Sequence, residues 1–346
     1  MLRQLYRRLY EGINYRLRGF AGGRLARYVR PVSISILLTL RCNARCVHCD
    51  IWKNRGQEDA LTADEWKRLL LDLRNWLGPV HVFLTGGEAL LRPYATDLVA
   101  YASRIGLFVE LLTNGYWRDQ ARIEMLARAN PSRVTLSLDG IGQTHSRVRG
   151  RDDFWEWTLR SIETLRRVRE AGHLSYRIRL KTVIMAQNLD HVVDVAHFAR
   201  DNGLEVFYQP IERNYHSVED PRWFEHSPTW PLDTSKAVNV VRQLIALKRE
   251  GLPIRNSYPE LEAMIPYFRD PAASQEAVKS HSAHERRHLC AALTTLEIQP
   301  NGDVLDCSRM PPVGNIRERR IRDIWKGRPR WWDEGCCRQR QLGAIE

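Results

Sequence analysis

The sequence has no hydrophobic run long enough to cross a membrane. The longest apolar stretch before the first cysteine, Val32 to Leu40, has 9 residues and is interrupted by serines and a threonine, whereas a membrane-spanning helix needs roughly 20. The basic N-terminus is not followed by an apolar segment with a small-residue cleavage site, so we expect no secretory signal. The expected protein is therefore cytoplasmic, neither membrane-spanning nor secreted.

Acidic residues are outnumbered by basic ones, most of all near the N-terminus. The 346 residues include 53 basic and 41 acidic side chains, a net charge of +12, and residues 1–30 contain eight arginines, no lysine and one acid, Glu11. This excess suits contact with an anionic surface. No zinc-finger, RNP or helix-turn-helix motif accompanies it, so nucleic acid is not an expected partner. The composition, 43% hydrophobic and 27% charged, excludes a disordered or collagenous chain.

Cysteine is absent from the whole middle of the chain. The seven cysteines form one group of three within residues 42–49 and one group of four within residues 290–337. Because the number is odd and no signal peptide is expected, a disulfide framework explains them poorly. Clustered thiols then indicate metal binding or redox chemistry.

Short β-rich segments alternate with helical patterns between residues 33 and 210. The predicted strands are Ser33–Thr39, Pro79–Thr85, Leu107–Thr113, Arg133–Leu138, Ser175–Val183 and Leu204–Gln209. The predicted helices are Thr62–Trp76, Pro93–Arg104, Gln120–Ala129, Phe154–Ala171 and Leu189–Asn202. This alternation predicts an α/β fold with a parallel sheet. Six units indicate an open, partial (β/α)6 TIM-like barrel, whose ligands bind at the carboxyl ends of the strands.

Three further segments flank this barrel, which we place at residues 31–212. Residues 1–30 predict a basic amphipathic helix, which either caps the open bottom of the barrel or contacts the inner membrane surface through anionic lipid. Residues 213–289 are predicted to form a bridge with one clear helix, Ser235–Glu250. Residues 290–346 are predicted to form a small α+β domain.

The first three cysteines, Cys42, Cys46 and Cys49, lie on one loop directly after the first predicted strand. Thiolates are ligands for iron–sulfur clusters and for zinc. Three thiolates can hold three corners of an iron–sulfur cube and leave the fourth iron open, whereas a structural zinc takes four ligands. We favour the cluster; a zinc knuckle and buried cysteines without a metal are the alternatives.

The segment from Cys42 to Cys49, with its C-x3-C-x2-C spacing, resembles the cluster-binding motif of the radical S-adenosylmethionine (SAM) superfamily. The resemblance implies a [4Fe-4S] cluster whose open iron site binds SAM. It also places His48, which stands where the family usually has an aromatic residue, along the adenine. An ordinary loop histidine is the alternative for His48.

Other strand ends extend this resemblance. The segment Thr85-Gly86-Gly87-Glu88 resembles the one that binds the methionine amino group, and Ser137-Leu138-Asp139-Gly140, with His145 and Arg149, resembles a cofactor-contacting stretch of the branch with SPASM or twitch domains. The alternatives are a cap for Asp139 and a surface ion pair for Arg149. The residues expected to contact cofactor or substrate are His48, Thr85, Gly86, Gly87, Glu88, Asn114, Ser137, Asp139, Arg149, Lys181 and Gln209.

The four C-terminal cysteines, Cys290, Cys307, Cys336 and Cys337, accompany a predicted β-hairpin with strands at 295–299 and 304–307. This region resembles the start of a SPASM/twitch domain. The resemblance implies one auxiliary [4Fe-4S] cluster on these cysteines, which favours the shorter twitch type. The adjacent Cys336 and Cys337 depart from the pattern, because neighbouring thiolates on one cluster strain the backbone. Structural thiols are the alternative.

The resemblance implies an enzyme that cleaves SAM reductively to methionine and a 5′-deoxyadenosyl radical, which abstracts hydrogen from a substrate carbon. An auxiliary cluster implies a net oxidation, a cross-link or C–C bond formation. The expected partners are a flavodoxin or ferredoxin-type reductant and a peptide, lipid or sugar-like small-molecule substrate. The alternative is a non-enzymatic iron–sulfur electron carrier or scaffold; the strand-end motifs count against it, because a carrier needs no methionine site.

Overall fold

The computed structural model describes residues 2–19, 28–54, 60–214, 220, 222–273, 291–307 and 310–329. The strands are β1 (Ser33–Leu37), β2 (His81–Thr85), β3 (Phe108–Thr113), β4 (Arg133–Ser137), β5 (Arg177–Ile184), β6 (Glu205–Pro210), β7 (Thr295–Ile298), β8 (Asp303–Leu305) and β9 (Gly314–Asn315). The α-helices are α1 (Leu2–Gly19), α2 (Ala63–Leu77), α3 (Ala95–Arg104), α4 (Gln120–Arg128), α5 (Gln143–Arg149), α6 (Phe154–Ala171), α7 (Val192–Asp201), α8 (Thr234–Arg249), α9 (Tyr258–Arg269) and α10 (Ile321–Gly327).

The nine strands of the described residues belong to one sheet, in the order β6-β5-β4-β3-β2-β1-β7-β8-β9. Strands β1 to β6 pair in parallel with their chain neighbours, and helices connect them, as βαβ units require. Within the described ranges no ladder joins β6 to β9, so the sheet is not closed. The predicted α/β partial barrel is therefore confirmed.

The C-terminal hairpin extends this same sheet. Strand β7 pairs in parallel with β1, on the side opposite β2, and β8 and β9 continue the sheet in antiparallel fashion. The Trp325 indole donates to the carbonyl of Val29 at 2.9 Å, and Arg317 pairs with Glu65 at 2.8 Å. The hairpin and α10 thus pack directly on the barrel. The domain boundaries expected from the sequence stay predictions.

The sequence pattern identifies the regular elements of the barrel better than the irregular ones. All six predicted strands are confirmed, with ends that differ by no more than two residues, and the bridge helix is confirmed as α8. Two described helices of residues 31–289, α5 and α9, are not predicted. Helix α5 has seven residues and a single aliphatic side chain, Val148, so it shows no helical repeat of apolar residues. Helix α9 has apolar residues at helical spacing, but Pro259 and Pro266 count against a helix in the sequence.

Helix α1 lies across the amino ends of the barrel strands. The Tyr6 hydroxyl donates to the carbonyl of Leu77 at 2.7 Å, and the Tyr10 hydroxyl donates to that of Pro31 at 2.6 Å. These contacts are the ones expected if the N-terminal helix caps the open bottom of the barrel. Residues 20–27 lie outside the described part of the chain. None of the described helices is long and apolar enough to span the bilayer.

One face of each barrel strand is apolar and the other is polar towards the amino end. Outward side chains such as Val109 and Leu111 are fully buried against the helices. On the opposite face, the Glu110 carboxylate contacts His81 at 3.3 Å and Arg133 at 2.7 Å. Although burial raises the pKa of Glu110, these partners hold it well below its ordinary value. The amino end of the barrel is thus filled by a charged network. The candidate active site lies at the carboxyl end.

Candidate active site

The cysteine loop and the two-glycine segment pack against each other at the carboxyl ends of β1 and β2. Gly87 N donates to the carbonyl of Thr39 at 2.8 Å, and Glu88 N donates to that of Arg41 at 2.9 Å. A Cβ on Gly86 would lie 2.2 Å from the Thr39 oxygen, and one on Gly87 would lie 2.4 Å from the Arg41 oxygen. Only glycine permits this approach, so both glycines position the start of the cysteine loop. Their predicted contact with SAM stays a prediction.

The three thiols of the triplet are unpaired by disulfides and largely shielded from solvent. Cys46 is buried, and Cys42 and Cys49 are half-buried. Burial raises the pKa of the Cys42 thiol to about 12 and that of the Cys49 thiol to about 11. Thiols in such surroundings become thiolates only with a strong cationic partner, and soft thiolate ligands suit iron–sulfur clusters. The donor set therefore fits a cluster.

A single-ion site is not seen at the triplet. Among the described residues, no three His, Cys, Asp or Glu side chains are grouped so that they could hold one metal ion. An iron–sulfur cube differs from a single ion because each thiolate binds a different iron.

Asn114, at the end of β3, braces the loop around Cys42. Its amide nitrogen donates to Asn43 Oδ1 at 2.6 Å and lies 3.8 Å from Cys42 Sγ. Asn43 in turn donates to the carbonyl of Tyr116 at 3.0 Å. Sequence reasoning missed Asn43, whose position between two of the cysteines is the only local signal. Asn114 therefore contacts the cysteine loop, and its contact with cofactor or substrate stays a prediction.

Glu88 is buried where β2 and β3 end. Its carboxylate accepts hydrogen bonds from Asn114 N at 2.7 Å, Thr113 Oγ1 at 2.9 Å and Leu90 N at 3.2 Å. Burial nevertheless raises the pKa of Glu88 to about 7. A carboxylate offers about four acceptor positions, so these three bonds leave room for one further donor. That donor is either the Trp117 indole, whose proximity also lowers the pKa of Glu88, or an ammonium group such as that of SAM. Glu88 therefore links the ends of β2 and β3, and it can still accept a hydrogen bond from the methionine amino group, the role predicted for it.

An ion pair connects the end of β4 to the triplet. Arg149 contacts Asp139 at 2.5 Å and donates from Nη1 to Cys46 Sγ at 3.4 Å. Although burial raises the pKa of Asp139, Arg149 holds it below its ordinary value. Both side chains are buried, so the surface-pair alternative for Arg149 is wrong. The predicted contact of both residues with SAM stays a prediction.

Helix α5, which the sequence does not predict, holds the cysteine loop through its C-terminus. Arg45 N donates to the carbonyl of Arg149 at 3.1 Å, and Val47 N donates to that of Val148 at 3.0 Å. Gly150 ends the helix with φ 77°. A Cβ there would lie 2.5 Å from the Arg45 oxygen. The glycine thus serves both the helix end and the contact with the loop.

His145 orients the turn that carries Asp139. Its Nδ1 accepts from Asp139 N at 3.1 Å, and its Nε2 lies 3.3 Å from Thr158 Oγ1. Burial lowers the pKa of His145 to about 3, so the ring is neutral at physiological pH. Its neutral tautomer accepts from the backbone through Nδ1 and donates to the threonine through Nε2.

The remaining predicted residues lie around the same edge of the sheet. Burial lowers the pKa of His48 to about 4, and its Nδ1 has no hydrogen-bond partner in the described ranges, so it can still contact a bound group. Ser137 and Lys181 are register partners on β4 and β5, both half-buried on the inner face. Gln209 lies on the same face of β6, and Thr85 ends β2. The structure thus brings the predicted residues of the barrel to one edge.

The auxiliary-cluster prediction falls mostly outside the described residues. Cys307 is buried just after β8. Cys290, Cys336 and Cys337 lie in segments that the structure does not describe. The choice between the adjacent cysteines and the preference for a twitch type stay predictions.

Comparison with known families finds one match over each cysteine group. A model described as the radical SAM superfamily matches residues 36–199, which contain the triplet and the strand ends around it. The chain therefore contains a radical SAM domain. A second model, SPASM, described as an iron–sulfur cluster-binding domain, matches residues 290–339. The enzyme therefore uses a [4Fe-4S] cluster and SAM, and its SPASM domain is a cluster-binding domain, as predicted.

Curated relatives of this radical SAM protein are enzymes with different substrates. It is 28% identical to the AdoMet-dependent heme synthase of Methanosarcina barkeri, over 86% of this chain and 82% of that protein. It is 27% identical to a PqqA peptide cyclase of Streptomyces rochei, over 85% and 75%. It is 30% identical to the sporulation killing factor maturation protein SkfB of Bacillus subtilis, over 54% of this chain and 43% of that protein.

Solved structures share the fold of this radical SAM protein. Streptococcus suis SuiB bound to S-adenosylmethionine has a TM-score of 0.62 at 18% identity, with 86% of this chain and 65% of that chain covered. The structure of anSMEcpe with AdoMet and the Cp18Cys peptide has a TM-score of 0.61 at 16% identity, with 86% and 81% covered. At these identities the likeness shows the fold alone.

Proposed function

We propose that this radical SAM enzyme acts on a peptide and catalyses a net oxidation, a cross-link or C–C bond formation. The main support is the triplet of cysteines, largely shielded from solvent at the carboxyl edge of the barrel, where Asn114 and Arg149 contact its sulfurs. The substrate class is supported by the similarity to SkfB and to PqqA peptide cyclases. A SPASM domain supports the oxidative outcome, since a second cluster can accept an electron from the substrate. A flavodoxin or ferredoxin-type reductant completes the proposal.

A tetrapyrrole is the second candidate substrate. The similarity to a heme synthase extends over 86% of this chain, and a further match is 34% identical to an Fe-coproporphyrin III synthase, over 44% of this chain and 37% of that protein. Bound SAM, reduced through a cluster on Cys42, Cys46 and Cys49, would supply the hydrogen-abstracting chemistry in either case.

The chain's own residues would prepare the site for this chemistry. The Glu88 carboxylate is proposed to accept a hydrogen bond from the cofactor's ammonium group, beside Gly86 and Gly87, which let the cysteine loop approach the end of β2. Neutral His48 offers an unpaired ring nitrogen beside the cysteine loop. Lys181 and Gln209, on the inner face of the barrel, are proposed to contact cofactor or substrate.

Deuterium transfer would identify the substrate class. The source organism is grown in deuterated medium, and its peptide, lipid and polar-metabolite extracts are incubated separately and anaerobically with enzyme, SAM and dithionite. We expect mono-deuterated 5′-deoxyadenosine, measured by mass spectrometry, with the peptide extract. Transfer only from another extract, or from added deuterated Fe-coproporphyrin III, would overturn the peptide proposal. Absence of any 5′-deoxyadenosine from iron-replete enzyme would favour the electron-carrier alternative.

A further inference from the structure

Helix α1 presents its aliphatic residues to solvent, whereas Tyr10 and Asn14 face the barrel. On the barrel side, Tyr10 and Asn14 are buried, and the Arg7 guanidinium lies 4.6 Å from the centre of the Phe108 ring. Four aliphatic side chains spaced three or four residues apart form the outward apolar stripe: Leu2 (81% exposed), Leu5 (53%), Leu9 (56%) and Ile13 (55%). A helix that only capped the barrel would bury such a stripe rather than expose it.

Positive charge surrounds the apolar stripe. Arg8 and Arg16 are exposed on α1 itself. Helix α1 packs between the end of α2, through Tyr6 and Leu77, and the end of α3, where Gly106 meets Arg3. The last turns of those two helices carry Arg74 and Arg104, and the segment before β1 carries the exposed Arg30. One acid, Glu11, is present in residues 1–30, and it pairs with Arg7 at 3.6 Å.

We propose that α1 docks the enzyme on an anionic lipid bilayer, with the apolar stripe in the interface and the arginines at the lipid phosphates. An interfacial helix needs this combination of an exposed aliphatic face and basic flanks. A second copy of this chain fits less well, because a two-fold contact through the stripe would bring Arg8 and Arg16 of both copies together. An anionic bilayer can bury the apolar stripe and pair with the arginines at the same time.

This docking fixes the direction of the active site. Helix α1 lies at the amino ends of the strands, whereas the cysteine loop follows the carboxyl end of β1. The catalytic edge of the docked enzyme therefore faces away from the lipid surface and is open to a substrate from the aqueous phase. The docking proposal itself does not depend on which substrate class is correct.

Vesicle binding by matched double variants tests the proposal. The full-length enzyme is mixed with phosphatidylglycerol–phosphatidylcholine vesicles or with phosphatidylcholine vesicles and sedimented. Leu9→Glu/Ile13→Glu alters the stripe, and Leu71→Glu/Met125→Glu makes the same charge change at side chains of α2 and α4 that are 41% and 52% exposed. Thermal melting and SAM cleavage should match wild type in both, because none of these residues contacts the site.

We expect wild type and the Leu71/Met125 variant to bind anionic vesicles and not neutral ones, with salt weakening the binding. The stripe variant should partition at least about tenfold more weakly, because two aliphatic anchors are lost. Equal weakening in both variants would mean non-specific charge attraction and would overturn the proposal. No wild-type binding, equal binding to neutral vesicles, or a vesicle-free dimer that only the stripe variant abolishes would overturn it too.

Discussion

At the scale of single residues, several polar groups of the site each make two kinds of contact. The Glu88 carboxylate joins the ends of two strands and has room for one further donor. Asn114 donates its backbone N–H to that carboxylate and its side-chain amide to Asn43. Arg149 neutralises Asp139 and donates to the sulfur of Cys46. The residues that resemble cofactor contacts are therefore also those that hold the cysteine loop in place, so their substitution affects loop and cofactor together.

Glu88→Gln should weaken both stability and SAM binding. Glutamine keeps one acceptor oxygen but points an amide at backbone and hydroxyl donors, which costs about 1–3 kcal/mol of unfolding free energy. The matched control Thr113→Val removes one donor to the same carboxylate and keeps its charge. Urea unfolding and calorimetric titration of SAM into reconstituted enzyme check this. We expect both variants to lose stability and only Glu88→Gln to lose SAM affinity.

The pH dependence gives a second readout of Glu88. Burial raises the pKa of Glu88 to about 7, so the carboxylate becomes ionised as the pH rises through that value. SAM affinity of wild type should then increase from about pH 6 to about pH 8, and that of Glu88→Gln should not. Normal SAM binding by Glu88→Gln at every pH would leave Glu88 a purely structural role.

At the scale of elements, the loop that carries the triplet depends on α5. Backbone bonds from Arg45 and Val47 end on the last two residues of that helix, and Gly150 lies directly against the loop. The helix is therefore part of the cluster site although it contributes no predicted ligand. Its C-terminal glycine offers a way to disturb the loop without touching a thiol.

Gly150→Ala should lower iron binding, and Gly142→Ala should not. Both glycines have positive φ, 77° and 60°, so each alanine variant should lose about 1 kcal/mol through backbone strain. A Cβ at Gly150 would also press on the Arg45 oxygen at 2.5 Å, whereas nothing lies within 4 Å of one at Gly142. Iron content after anaerobic reconstitution, with thermal melting, distinguishes the two. Equal iron loss in both variants would show that the close contact between Gly150 and Arg45 does not position the loop.

The sequence predicts elements whose signals are local. The six barrel strands are predictable from short β-rich runs, four of which follow a glycine at the end of a predicted helix. The helix Phe154–Ala171 is predicted with its observed ends because its apolar repeat is long. Helix α5 is not predicted because Gln143–Arg149 has almost no apolar side chain. Two of the hydrogen bonds on Glu88 come from Thr113 and Asn114, which are 25 and 26 positions further along the chain, and no local pattern reveals them.

At the scale of the whole molecule, the two cluster-binding regions share one sheet. The SPASM match begins at residue 290, and β7 pairs in register with β1, which leads into the triplet. The pairing joins residues more than 250 positions apart, such as Ser35 and Glu297, so local sequence patterns do not predict it. The basic, membrane-facing end proposed for α1 and the catalytic edge then lie at opposite ends of the same strands.

SAM cleavage by the triple variant Cys42→Ala/Cys46→Ala/Cys49→Ala, with iron counted on the same samples, tests directly whether this loop holds the catalytic cluster. We expect no 5′-deoxyadenosine from the triple variant, with about four irons per chain left on the auxiliary site. Cys307→Ala serves as the control, which should keep the triplet's irons and cleave SAM. Retention of SAM cleavage by the triple variant would contradict the assignment of the catalytic cluster to this loop.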